Sequence, residues 1–534
     1  MSPEMGRYTL EDDNAIMAAH TAVVAAHHAP GLGRGTVTIA AVDSLALSIA
    51  RADYVCDGVD DEVQINAAIV ALMVAGGGQL DLCEGTFNIQ TNPITATWTG
   101  DSQVVDIVGR GWRTILNNTN VAGMNTIEID GTAGHFRGGR IASLRFTSNA
   151  AAGVSIYLYR TFLFKVFDVS IGGAIGTHGT HGVECNNTYM TFIDHCSFQL
   201  LGGRGVYTHG SPTSTSISWN IFNGFGAEAI YLDGDPNTYI AFNNFESAAA
   251  LENTFIYYNG TIYEGWVLNN SFITDASWTV NTPLINIVGD NTNYANDMNI
   301  VGNKALTGKK KCILQTNQYC RRFNVAYNFY AGMGGGATGF YLSGISFNVH
   351  DNHSDTCSDY MFDLSNADAF NIHHNYALGA RDGLVFAANT CTDLVIDSNI
   401  NEWTSVAFGG VCGLDIDAPG TQVSNNRIIG NATEGWAKGI NINADDCVVS
   451  GNFIKYATDG IYGEDGDDVM CKENRCILCD DPIDINRAAC VRWQVMGNNT
   501  EGNTNDINSA GATNPRVTSN IDKAGAWLAG DDPG

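Results

Sequence analysis

Basic residues are scarce: 27 Lys and Arg stand against 56 Asp and Glu in 534 residues, for a net charge of −29 and a pI near 4.5. Nucleic acid and anionic membrane surfaces are held by clustered Lys and Arg, so neither is expected as a main partner. Charge of either sign is thin, at 16% against a usual ~25%. No apolar run approaches the ~18 residues of a membrane span; the longest, Ile69 to Ala75, falls far short. The first twenty residues lack a basic stretch followed by an apolar one, so they do not read as a secretory leader. Fourteen Cys without a leader read as reduced, buried thiols rather than disulfides. What is present points to a β protein rich in turns. Gly accounts for 60 residues, roughly 11% against a usual ~7%. With so few charges, Asn, Ser, Thr and Gly must supply the polar surface. Hydrophobic residues, at 44%, suffice for a large core and exclude wholesale disorder.

The chain repeats. From residue 217 a short apolar segment ends again and again at an Asn: Asn220, Asn244, Asn270, Asn303, Asn328, Asn352, Asn375, Asn399, Asn426, Asn452, Asn474 and Asn499. Three residues before each stands an apolar residue or Cys, among them Ile217, Ala241, Val325, Ile372, Cys471 and Met496. Alternation with period two marks a strand with one buried face. A second turn leads into another apolar pair in several repeats, as at Asp382-Gly383-Leu384-Val385 and Asp459-Gly460-Ile461-Tyr462. One repeat of about 25 residues cannot bury its own inner face, but stacked repeats can. The expected fold is all-β, a right-handed single-stranded parallel β-helix of about 13–14 coils and about 65 Å. Asn suits the corners because it tolerates the left-handed backbone region and can hydrogen-bond along a stack.

Residues 58–78 predict a helix over 60–75, with Asp60 and Asp61 at its start and an apolar stripe of Val63, Ala67, Ile69, Val70 and Met73. Such a helix would cap the open end of the coil. Ala52-Asp53-Tyr54-Val55-Cys56-Asp57-Gly58, Gly77-Gly78-Gln79-Leu80-Asp81-Leu82, Gly85-Thr86-Phe87 and Val108-Gly109-Arg110-Gly111 resemble the start of right-handed β-helix proteins of the pectate-lyase-like superfamily. The likeness is closest to tail-spike and tail-fibre proteins of bacteriophages and archaeal viruses. It is strong over 36–115 and rests on coil pattern alone from 116 to 505. The resemblance implies a particle-attachment role for the helical segment 1–35, a shaft over 116–505 and a C-terminal tail over 506–534. It also implies a homotrimer, contacts with other virion tail proteins through the N-terminus, and a virion location after synthesis in the host cytoplasm. The clustered Asp with Arg of the superfamily's polysaccharide lyases finds no clean match here.

The candidate chemistry lies on outward columns. Two residues before the turn Asn the column reads Asp194, Ser218, Phe242, Leu268, Val301, Ala326, His350, His373, Asp397, Ser424 and Ser450. His350, His373 and Asp397 would stack about 4.8 Å apart, close enough for acid–base work on a glycan or simply for a solvated polar ladder. Trp403 beside Glu402 and Trp436 near Glu434 could form an aromatic platform with two carboxylates, the equipment of a glycosidase, or be ordinary loop packing. Catalytic candidates are therefore Asp397, His373, Glu402 and Glu434, with Trp403, Trp436 and His350 as glycan contacts. Cys471, Cys476, Cys479 and Cys490 superficially match an iron–sulfur spacing but fit a core ladder better. No cofactor is expected, although the acidic runs Gly463–Asp468 and Asp233–Asp235 could hold Ca²⁺. Three functions follow: a virion tail spike or fibre that recognises a host surface polysaccharide, a polysaccharide-degrading hydrolase or lyase, and a cellular surface adhesin.

Overall fold

The computed structural model describes residues 35–98, 104–120, 123–149, 152–172, 180–246, 254–274, 282–307, 312–331, 338–355, 357, 359–403, 411–432, 435–518 and 520. Residues 1–34 of the attachment segment and the end of the C-terminal tail lie outside these residues, as does Glu434. The described residues are 54% strand and 5% helix, and they wind as the expected parallel β-helix, with about 16 turns. At roughly 4.8 Å per turn the rod is roughly 75 Å long. The count of 13–14 taken from the Asn repeats falls short because the opening segment winds too. Gly35–Ala40, Gly78–Leu82 and Val105–Val108 stack in one parallel column. At the far end Arg516–Thr518 pairs with Gln494–Met496.

Each turn carries strands on three faces. Asn348–His350 and Asn371–His373 belong to the first. His353–Asp355 and Tyr376–Leu378 belong to the second, and Phe340–Ile345 and Tyr360–Asp368 to the third. The helix Glu62–Val74 packs against the first strands through Ile65, Ala68, Ile69, Leu72 and Met73. Its buried stripe is rotated from the expected one, since Val63 and Val70 are exposed. The reason lies at its start. Asp61 and Glu62 are buried because their carboxylates accept the N–H groups of Gly58, Asn88, Thr91 and Asn92.

A buried Asn ladder runs behind the corner between the first and second faces. Asn352 shows the pattern: its N–H and its Nδ2 both donate to Oδ1 of Asn375 (3.0 and 2.9 Å), and Nδ2 also donates to the carbonyl of Val325 (2.8 Å). The same bonds join Asn220 to its successors as far as Asn520. Cys196 takes the place one rung earlier and donates its N–H to Asn220 Oδ1. Two rungs differ from the sequence reading: the ladder passes through Asn243 and Asn498, not Asn244 and Asn499. The inward residues there are accordingly Ile240 and Val495, both fully buried. The Asn does not take the left-handed conformation either. The residue before it does, whatever its type: Trp219 (φ 58°), Phe242 (59°), Tyr327 (56°), His374 (55°), Glu473 (57°) or Gly451 (67°).

Inside, equivalent residues of successive turns stack. Phe198, Phe222, Phe245 and Phe272 form a column with ring centroids 4.9 Å apart at each step. Phe323, Phe347 and Phe370 form another at 4.6 and 4.4 Å. All fourteen Cys are buried and free. Among the described residues no set of Cys converges within metal-binding reach.

Candidate functional site

The first-face column assembles in part. His350, His373 and Asp397 occupy three consecutive rungs in register. The imidazoles stack 5.1 Å apart and 7° from parallel. Nε2 of His350 and of His373 lies 3.0 Å from Oδ1 of Asn324 and of Asn348. An amide oxygen only accepts, so each Nε2 carries hydrogen in this network. Nδ1 of His350 meets Asp351 at 2.8 Å, and Nδ1 of His373 meets Nδ1 of His374 at 2.8 Å. Burial, then the neighbouring His350 and His374, lower the His373 pKa, which favours a neutral ring accepting the His374 proton. Burial alone would raise the pKa of Asp397, but donors from Ser424 (2.6 Å), Ser398 (2.8 Å) and Asn425 (2.9 Å), with His374 nearby, bring it down. The column is thus a hydrogen-bonded ladder whose titratable atoms are already engaged. Phe242 is not part of it: Ala241 fills that position, and Phe242 stands on the left-handed corner, stacked on Trp219 at 4.6 Å.

The remaining candidates do not join this column. Glu402 lies beyond the corner, on the second face, where it accepts the Tyr376 hydroxyl (3.0 Å) and lies 3.7 Å from Arg427. Trp403 and Trp436 are buried at 5% and 1% exposure and meet edge to face at 5.3 Å. Neither indole presents a face to solvent. The Ca²⁺ candidates disperse as well. Asp467 and Asp468 pair with Arg492, and Glu464 with Lys438. Asp233 faces outward and accepts from Asn259, whereas Asp235 is fully buried.

A different place has the shape of a binding site. On the third face a cleft of about 420 Å³ is lined by Gln315, Thr316, Asn317, Gln318, Tyr319, Tyr341, Ser343, Ser365 and Asn366. Local register builds it. Phe340–Ile345 pairs with Tyr360–Asp368 through an irregularity between Leu342 and Gly344, and such bulges open a strand surface and re-aim side chains. Ser343 is fixed there from two sides, its N–H donating to Thr316 Oγ1 (2.9 Å) and its hydroxyl sharing a hydrogen bond with Ser365 (3.0 Å). Asn317 donates to the Gly289 carbonyl and holds the Tyr319 N–H. Asp363 flanks the cleft: it is the register partner of Tyr341 and lies on the same strand as Ser365. Burial, then the nearby Asp359, push its pKa up to about 6. A run of amides and hydroxyls between two aromatic rings suits sugar hydroxyls and the apolar faces of sugar rings. The stretch Gln315-Thr316-Asn317-Gln318-Tyr319 breaks the apolar alternation but does not by itself mark a cleft.

No protein-family model matches the sequence, and no curated protein is significantly similar to it. Solved structures do resemble it. ORF18 of Geobacillus virus E2 is 14% identical with a TM-score of 0.34, over 65% of this chain and 58% of that one. Tailspike protein 3 of bacteriophage CBA120 is 12% identical with a TM-score of 0.45, over 82% of this chain and 61% of that one. DFA-IIIase of Arthrobacter chlorophenolicus A6, without its lid, is 10% identical with a TM-score of 0.46, over 62% of this chain and 94% of that one. The chain thus spans under two thirds of the length of both viral structures. Among the described residues no helix is long and apolar enough to cross a membrane.

Proposed function

We propose that this chain is the glycan-reading shaft of a virion tail spike or fibre and that the third-face cleft receives the glycan. The observation that carries the reading is the cleft itself. It is the right size for a small-molecule ligand, inside the ~300–1,000 Å³ of such sites, and its walls are amides, hydroxyls and two tyrosines. Uncharged donors and acceptors suit sugar hydroxyls, and the stacked turns of the β-helix give an extended polysaccharide a track alongside it. The particle-borne setting is supported by the resemblance of residues 36–115 to tail-associated β-helix proteins. Attachment through the N-terminal segment and assembly as a homotrimer belong to the same reading. The test is an array of bacterial capsule and lipopolysaccharide glycans probed with the purified chain. Selective binding that falls at least tenfold in Tyr341→Ala and Asn366→Ala is expected. Binding to no glycan, or binding indifferent to both variants, would overturn the assignment.

A second reading, cleavage of the bound glycan, is favoured by Asp363. A carboxyl with a pKa of about 6 beside a sugar-sized cleft is suited to donate a proton to a glycosidic oxygen. Sizing the products after incubation with the bound polysaccharide tests this. Shortened chains with wild type and intact chains with Asp363→Asn are expected. Undiminished cleavage by Asp363→Asn would remove this residue from the chemistry.

A further inference from the structure

A set of buried polar atoms near the turn from the third face to the first remains unexplained by glycan recognition. The hydroxyls of Thr188, Thr208, Thr215 and Tyr258 and both carboxyl oxygens of Asp235 are enclosed and make no hydrogen bond of ordinary geometry. All five residues are at most 1% exposed. The winding brings all of them together but Thr188, which stands one turn below Thr208. Thr208 pairs in register with Leu232, and Leu232 with Tyr258, so three successive turns contribute. Asp235 follows Leu232 by three residues and sits in the middle turn. Around its carboxyl stand the Thr215 and Thr208 hydroxyls and the N–H groups of Thr215 and Ser214, at positions that fall short of good hydrogen bonds. Its field reaches the Tyr258 hydroxyl above and the Cys185 thiol below. No Lys, Arg or His is among the strongest influences on it.

A lone carboxylate in an apolar interior is costly unless it takes up a proton or something of opposite charge joins it, and burial pushes the Asp235 pKa up to about 7. The oxygens gathered here are hard donors, suited to alkali and alkaline-earth ions rather than to thiophilic metals. Charge decides between the two. One carboxylate neutralises a monovalent ion, whereas a divalent ion would leave a net positive charge in the core. We propose that Asp235 and the hydroxyls of Thr208 and Thr215, with Tyr258 completing the cage, bind a dehydrated monovalent cation of the sodium or potassium class inside the solenoid. The ion ties three turns together from within, and it accounts for a carboxyl that the fold otherwise leaves unpartnered.

The test uses the full chain. Crystals grown in rubidium or thallium(I) salt are expected to show an anomalous difference peak inside the oxygen cage. A cage holding only water, or nothing, overturns the proposal. In solution at fixed pH and ionic strength, the melting temperature is expected to be roughly 3 °C higher in sodium or potassium chloride than in tetramethylammonium chloride. Asp235→Asn should abolish that difference. Should this variant not fold, the near-isosteric Thr208→Val and Thr215→Val serve instead. A melting temperature equal in all three salts, or a salt effect unchanged in the Thr variants, contradicts the site.

Discussion

Two neighbouring residues divide the labour at each corner: the Asn faces inward to bond the next turn, and its predecessor bends the chain. Asn375 accepts the N–H and Nδ2 of Asn352 and donates to Val349 and Asn399. Asn375→Ala should therefore orphan two buried donors and lower unfolding free energy by about 3 kcal/mol, read by chemical denaturation. An unchanged midpoint would show that the ladder does not hold the corner. The left-handed residue gives the opposite test. Glu473 is exposed at φ 57°, so Glu473→Gly should stabilise by about 1 kcal/mol, whereas the β-branched Glu473→Val should destabilise. The ladder was legible in the sequence as a spacing, because a buried amide repeats wherever the turn repeats. Its register was not legible at Asn243-Asn244 and Asn498-Asn499, where either member of an Asn pair satisfies the spacing. Nor was the left-handed position, because the ladder behind it forces that backbone on Trp219, Tyr327 and Glu473 alike.

At the scale of strands and columns, stacking of like on like dominates. The Phe245 ring lies between Phe222 and Phe272, 4.9 Å from each. Phe245→Ala should open a cavity no neighbour can fill, at about 3–5 kcal/mol, measured as a shift in denaturation midpoint without loss of the β signature in circular dichroism. The same alternation explains which site candidates met. His350, His373 and Asp397 share a column because each stands two residues before a ladder Asn, and that offset was visible in the sequence. Glu402 stands three residues after Asn399, past the corner, so its column faces another way. Trp403 follows the outward Glu402 and so turns inward, a consequence of period two that the platform reading overlooked. The third-face cleft was hidden for a different reason. It depends on a slip in pairing between Leu342 and Gly344, and pairing slips leave no periodic trace.

Over the whole molecule the excess of acid sets the response to pH. Asp363 and Asp459 are each pushed up to about 6, both by burial first, then Asp363 by Asp359 and Asp459 by Asp484 and Asp481. Unfolded Asp titrates near ~3.9. Between roughly pH 4 and 6 the folded chain keeps protons that the unfolded chain has lost, so stability falls as pH rises through that window. Glu84, drawn down to about 2 chiefly by the Ser48 hydroxyl, works the other way, and its contribution disappears as pH falls toward 2. The melting temperature should rise from pH 7 to pH 5 and fall again in stronger acid, and Asp363→Asn with Asp459→Asn should flatten the upper limb. A profile that climbs steadily from pH 5 to pH 7 would contradict these assignments. The position of the bound glycan is the most direct test of the third-face cleft. A crystal structure with the oligosaccharide that binds best on the array should show sugar density between Tyr319 and Tyr341, hydrogen-bonded to the cleft amides. Sugar density over His350 and His373 on the first face, with the cleft occupied only by solvent, would contradict it.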